Sequence, residues 1–366
     1  MAGIAKSWHY PRPRLALQYY QTLFDVGLIS ALALHGKRRM GKTEFLQQDL
    51  MPLVREHGVI PIYANFWEAR SDPGKTLVHA IASELNDKGL LQMLKLTPRL
   101  SASLGGVSAG VDMEYRKHGT SSLDEAFDRL DAGKTQRYLM LFDEAQVLAE
   151  LAHQELQAAL RSKLDTRKER IKVIMVGSSL ERLSSMLRTE DQPFYRWANM
   201  QDFPMLDDDF VRYELSILHA ISRHRLDEAS AQDIFRQFDC LPEPFRVFLD
   251  KFLTSVNGDA ATALQAAHDE MAVDGHFEER WEAFKPADQQ LLRYLAAGGQ
   301  ELTSAATREL IGHSLGRSSP ESVATIQNAI KRLKEADVVV SIARGRYEFQ
   351  DSEFLHWLLR EKGRLD

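Results

Sequence analysis

The stretch that decides the reading is Leu32–Leu46, LALHGKRRMGKTEFL. It contains Gly-Lys-Thr, as do SDPGKTL (Gly74-Lys75-Thr76) and DAGKTQ (Gly133-Lys134-Thr135). A loop that cradles a phosphate needs more than the lysine. It needs a glycine five residues ahead of the Gly-Lys pair, so that backbone N–H groups can wrap the anion. It also needs a strand before the loop, and after it a helix whose positive end faces the charge. Gly36 stands at the required place and completes G-x-x-x-x-G-K-T from Gly36 to Thr43. LISALAL precedes it as a buried strand, and KTEFLQQDLMPLVREHG follows with Leu46, Leu50, Leu53 and Val54 at helical spacing and Gly58 as a stop. The second triplet has Ala69 at the glycine position and Pro73 inside the loop; the third has Asp128, a negative charge aimed at a phosphate. They read as a helix start and a surface turn.

Around this loop the chain is 366 residues long, enough for two or three domains. With 44% hydrophobic and 27% charged residues it has the balance of a soluble globular protein. One cysteine, Cys240, excludes an internal disulfide, and the twelve histidines show no spacing for a structural zinc. No apolar core of a signal peptide and no run of membrane-helix length is present, which makes the cytoplasm the default location and a membrane partner unexpected. The net charge of −6 argues against a protein coated in nucleic acid.

Residues 1–205 alternate β-like runs with helical patterns, the signature of a parallel α/β sheet. The expected strands are LISALALH, VIPIYANF, RYLMLFD, KVIMVG and NMQDFP. Between the second and third, an insertion at 97–119 suggests a hairpin or irregular segment. Residues 206–284 read as about four amphipathic helices with a break at CLPEP. Residues 285–366 read as three helices, a hairpin and a closing helix, a helix-turn-helix plan whose third helix usually enters the major groove. That third helix is expected to carry a capping box of Ser318 with Glu321, and Pro320 in its first turn. This last segment holds 12 Lys+Arg against 11 Asp+Glu, a net charge of +1 where the remainder carries −7. Lys331, Arg332, Lys334, Arg344 and Arg346 gather near the helix end and the wing, enough for salt-sensitive phosphate contacts. A protein-docking or purely structural module fits the balanced charge as well.

A phosphate loop calls for a metal ligand and a water activator. Thr43 supplies one hydroxyl for Mg²⁺. YLMLFDEAQVL places Asp143 and Glu144 at the C-terminal tip of a buried strand, the edge at which open α/β sheets bind ligands. Asp143 would hold the metal and Glu144 would deprotonate the attacking water; two acids capping a helix is the plainer alternative. Gly177-Ser178-Ser179 ends the next strand, where Ser178 can sense a γ-phosphate or the serines can cap the following helix. Arg196 precedes the last strand, as a finger for transferred phosphoryl charge or as a surface arginine.

Taken in succession, HGKRRMGKT, LFDEAQ, VGSS, PFYRW and YEFQDSEFLHWLL resemble the archaeal-type ATPase family, within the AAA+/STAND branch of P-loop NTPases and near the origin-recognition initiator ATPases. The resemblance spans nearly the whole chain. It implies an α/β P-loop core with a five-stranded parallel sheet (1–205), an all-α lid (206–284) and a C-terminal winged helix (285–366). It further implies ATP and Mg²⁺ as cofactors. The nucleotide would lie on Gly36, Lys37, Arg38, Arg39, Met40, Gly41, Lys42, Thr43 and Glu44, with Thr43 and Asp143 on the metal. Glu144, Lys42, Ser178 and Arg196 would be catalytic, Arg196 in cis or from a neighbour. Duplex DNA, a second copy or a protein partner are the implied associates. Two departures stand out: YPRPRL replaces a Gly-Arg-Glu box, and the lid turn is LPEPFRVF, where Pro244 or Arg246 would meet nucleotide. No Asn-Lys-x-Asp clamp is present, which favours adenine over guanine. The runner-up is a STAND-type regulator that gates a partner protein with slow turnover and no DNA contact.

Overall fold

The computed structural model describes residues 8–96, 122–343 and 345–363, so the insertion expected at 97–119 lies outside the described residues. Contacts divide the chain into two units. Pro11–Gly36 and Lys42–Phe203 form one; the described residues up to Tyr10, Lys37–Gly41 and the chain from Pro204 onward form the other.

The first unit is built on five strands: Ala31–His35 (β1), Val59–Asn65 (β2), Arg137–Asp143 (β3), Ile171–Gly177 (β4) and Asn199–Asp202 (β5). All pair in parallel in the order β2-β3-β4-β1-β5, at the five places expected. Every residue of β4 is buried, as is β3 after Arg137, because helices cover both faces. The edge strand β5 is short and half exposed, with Asp202 in water, which blunts the edge against further pairing. One helical run, Lys42–Glu56, leads from the loop to β2, with a π-helical turn at Leu46–Leu50. Pro73–Glu84 covers the sheet with Leu77, Val78 and Ile81 inward. It contains the second Gly-Lys-Thr triplet and is capped by Asp72, whose side chain accepts from the Lys75 N–H at 3.0 Å. The third triplet lies in the turn before β3. Gln154–Asp165 and Leu180–Arg188 complete the crossovers.

The second unit has two apolar clusters. Helices Asp208–Ile221, Glu228–Gln237, Pro242–Thr254 and Ala260–Asp274 enclose Phe210, Phe235, Phe245, Phe248 and Phe252. Trp8 and Tyr10 pack against this cluster, the Tyr10 ring edge-on to Phe210 and Tyr213, and the Trp8 carbonyl accepts from Arg246. The Arg246 guanidinium also bonds the fully buried Glu214 carboxylate at 2.9 and 3.1 Å. The second cluster joins Pro286–Ala296, Ala305–Ser314, Val323–Glu335 and Ser352–Glu361 with an antiparallel ladder, Val339–Ala343 (β6) and Arg346–Phe349 (β7). This is the winged-helix plan.

The expected capping box at Ser318 is corrected. The helix starts at Val323 and its cap is Ser322, which accepts from the Thr325 N–H at 3.0 Å. Glu321 does not reach back to a cap. Its N–H bonds the Arg308 carbonyl, its buried carboxylate pairs with Arg317, and Gly312 lets Ser319 approach to where a Cβ would lie 2.5 Å from the Ser319 carbonyl oxygen. Docking of residues 319–321 on the preceding helix therefore delays the next one. Among the described residues no helix is long and apolar enough to cross a membrane.

Candidate nucleotide site

The parallel register brings the tips of β1, β3 and β4 to one edge: His35 lies opposite Gly177, and the Gly36 N–H donates to the Gly177 carbonyl at 3.3 Å. From there the loop departs, with left-handed backbone at Arg39 and Gly41 (φ 67° and 75°). Gly41 takes that conformation at no steric cost; Arg39 does not. Lys42 opens the helical run, and its buried Nζ donates to the Gly36 carbonyl at 2.7 Å across the loop. Within the second unit, Lys37 lies 3.5 Å from Asp239, Arg39 3.5 Å from Glu243, and Arg38 4.0 Å from Asp337. Met40 is buried; Glu44 lies in the first helical turn.

Thr43 and Asp143, a hundred residues apart, meet directly: Thr43 Oγ1 donates to Asp143 Oδ2 at 2.6 Å. A third group, not expected from the sequence, joins them. Tyr63 on β2 donates its hydroxyl to the same carboxylate oxygen at 2.8 Å. Burial first, and then the Asp143 charge, raise the Tyr63 pKa well above the usual phenol range, so it remains a donor. The Asp143 side chain is buried, and its other oxygen accepts from the Glu144 N–H. Two hard oxygens on a buried acid and a hydroxyl suit Mg²⁺, which takes one or two protein oxygens and leaves its other positions to water and phosphate.

Glu144 follows with a left-handed backbone (φ 52°), unusual for its residue type. Its Oε2 accepts from Ser178 Oγ at 3.2 Å and from Gln146 Nε2, and Gln146 Nε2 also bonds Ser178 Oγ at 3.3 Å. Gln146 is the second residue that the sequence reading missed. Its place depends on Gly177, where a Cβ would come within 2.7 Å of Gln146 Oε1. Ser179, beside Ser178, caps the helix that follows by accepting from the Arg182 N–H.

Arg196 lies elsewhere. It lines a cavity with Ala31, Lys172 and Asn199, at the N-terminal ends of β1, β4 and β5. Roughly 15 Å of strand separates that edge from the loop. Of the roles open to Arg196, a finger in cis is therefore corrected. An Arg196 finger acting in cis does not fit this geometry, because a side chain at the start of β5 cannot span the sheet. Arg246, the lid candidate, has its guanidinium on Glu214 and the Trp8 carbonyl.

Solved structures share this architecture. The Walker-type ATPase of Pyrococcus abyssi matches with a TM-score of 0.62 at 19% identity, over 94% of this chain and 94% of that one. The fold is that of a P-loop ATPase. The ORC2 protein of Aeropyrum pernix in its ADP form matches with a TM-score of 0.59 at 15% identity, over 96% of this chain and 93% of that one. The same protein in its ADPNP-ADP complexes gives 0.58 at 15% identity, over 95% and 93%. The sequence matches no family model and no curated protein.

Proposed function

We propose that this chain is an ATP-hydrolysing molecular switch whose nucleotide state is read out by its C-terminal winged helix on duplex DNA. The supporting observation is the Thr43–Asp143 hydrogen bond at 2.6 Å, which joins the foot of the loop to the acid at the sheet edge. Gly36–Glu44 would hold the nucleotide. Lys37, Arg38 and Arg39 lie beside acids, which leaves their backbone N–H groups as their contribution. The Lys42 ammonium would exchange the Gly36 carbonyl for phosphate oxygens. When bound, Mg²⁺ would rest on Thr43 and Asp143 and neutralise charge at the phosphate oxygens. Glu144 would take the proton of the attacking water, with its carboxylate aimed by Ser178 and Gln146. The segments 1–205, 206–284 and 285–366 would act as core, lid and reader. Lys42→Ala should abolish tight ATP binding, whereas Glu144→Gln should keep ATP bound and slow hydrolysis by about 10²–10⁴-fold. Calorimetric binding and steady-state turnover measure the two, and wild-type affinity in Lys42→Ala overturns the proposal.

A second reading, a regulator that gates a protein partner with slow turnover, draws support from Arg332. On the helix expected to read DNA, Arg332 bonds the buried Asp288 through Nε at 3.1 Å and Nη2 at 2.5 Å. One of the basic residues counted toward phosphate contacts is thus committed within the fold. ATPase assays with and without duplex DNA, at low and high salt, separate the readings.

A further inference from the structure

The cavity at the N-terminal edge of β1, β4 and β5 has the makings of a site of its own. It measures about 390 Å³ and is bordered by three converging segments: 27–30 ahead of β1, Lys168 and Glu169 ahead of β4, and 196–198 ahead of β5. Lys172, the second residue of β4, forms part of its wall. Only 5% of Lys172 is exposed, and Nζ donates to the Ile29 carbonyl at 3.3 Å. An ammonium has three donors, and burying its charge is costly without more partners. Burial pushes its pKa down, the Glu169 charge works against that, and Lys168 adds to it. Lys168 and Arg196 are exposed and line the same cavity, so three cations border it against the single acid Glu169. Arg196 is held there by a left-handed backbone (φ 54°), its N–H on the Leu187 carbonyl at 2.9 Å and its guanidinium stacked over Tyr195.

We infer that this cavity is a phosphate-binding site, with Lys172 as its buried anchor and Lys168 and Arg196 at its mouth. A phosphate supplies the acceptors that the ammonium needs and enough charge to balance the excess of cations. The volume exceeds that of a phosphate group alone. Trp197, Leu28 and Ile29 border the remaining space, so the cavity has room for a phosphorylated small molecule or nucleotide beyond the phosphate group that anchors it. The phosphate can come from a free ligand or from a nucleotide bound to a second copy of the chain. The site stands apart from the loop that ends β1 and does not rest on the ATPase proposal.

Radiolabelled inorganic phosphate in equilibrium dialysis tests it, using the full chain carrying Lys42→Ala so that the loop contributes no binding. This protein should bind phosphate, and adding Lys172→Met, which keeps the stem and removes the charge, should weaken binding at least 10-fold. Arg196→Gln on the same background should weaken it several-fold, and it decides the matter if the Lys172→Met chain does not fold. Binding that is independent of protein concentration identifies a free ligand. If the Lys42→Ala chain binds no phosphate but associates with an added Glu144→Gln chain loaded with ATP, and Lys172→Met or Arg196→Gln in the first chain removes that association, the neighbour's nucleotide is the source. Phosphate retention that is indifferent to both substitutions, or no binding from either source, overturns the inference.

Discussion

Glu144 shows how finely the site is set at the level of one residue. Its left-handed backbone costs of order 1 kcal/mol for a non-glycine, and such strain persists where the surroundings hold it. Here the surroundings are Ser178 and Gln146, and behind them the bare Cα of Gly177. Gly177→Ala would place a methyl group 2.7 Å from Gln146 Oε1 and displace the amide from Glu144. We expect turnover to change by 10-fold or more with ATP affinity kept, since the loop is untouched. Measuring kcat beside the ATP dissociation constant checks this, and a loss of affinity equal to the loss of turnover argues for simple misfolding. DEAQ was legible as two acids on a strand tip. Its glutamine was not, because its partner Ser178 lies 32 residues away, just past the end of another strand. Tyr63 escaped for the same reason: its link to Asp143 spans 80 residues, and only the β2–β3 register creates it.

At the level of elements, β1 ends in a histidine with a pH signature. Burial lowers the His35 pKa below its ordinary 6.5; Asp202, 3.6 Å away, works against that shift, and Lys42 works with it. Below pH 6.5 the unfolded chain therefore binds a proton that the folded chain resists, so stability falls as pH drops from 6.5 toward the lowered folded value. Denaturant midpoints at pH 7.5 and 5.5 should differ less in His35→Gln than in the wild type. The winged-helix region offers a second contrast. Arg332→Ala leaves the buried Asp288 carboxylate without its guanidinium and should cost about 2–3 kcal/mol, below the value for a fully buried pair because Arg332 is partly exposed. Lys331, exposed and paired only with Glu335 one turn on among the described contacts, should lose little stability as alanine yet weaken any DNA binding. Thermal melts and salt-dependent DNA titrations read the two effects separately. Element types were legible because buried runs and helical periods are local signals. The start of Val323–Glu335 was misread because Ser318 and Glu321 fit a local box while the chain there docks on a helix already made.

For the whole molecule, the placement of Arg196 bears on how the proposed hydrolysis would be assembled. With its side chain at the far edge of the sheet, any action on a nucleotide held by the Gly36–Thr43 loop requires a second copy. Turnover per chain should then rise with protein concentration. Arg196→Ala should lose on the order of 10³-fold while binding ATP, and mixing it with Glu144→Gln should restore part of the activity. Unchanged turnover in Arg196→Ala, or loss with no rescue on mixing, removes the shared site. The sequence indicated the strand that follows Arg196 but not the end of the sheet it occupies, since a motif says nothing of distance.

The packing of Trp8 and Tyr10 has a practical side. These residues belong with the helices beyond Pro204, not with the sheet that follows them in the chain, through the Tyr10 rings and the Trp8 carbonyl on Arg246. An affinity tag fused close to the first residues, or a shortened chain starting at Pro11, would unsettle the helices beyond Pro204 and with them Lys37–Gly41 of the loop. The shortened chain would also remove an acceptor from Arg246, which pairs as well with the fully buried carboxylate of Glu214. A tag placed after the last helix keeps that junction intact, and is the safer handle for any assay of nucleotide binding.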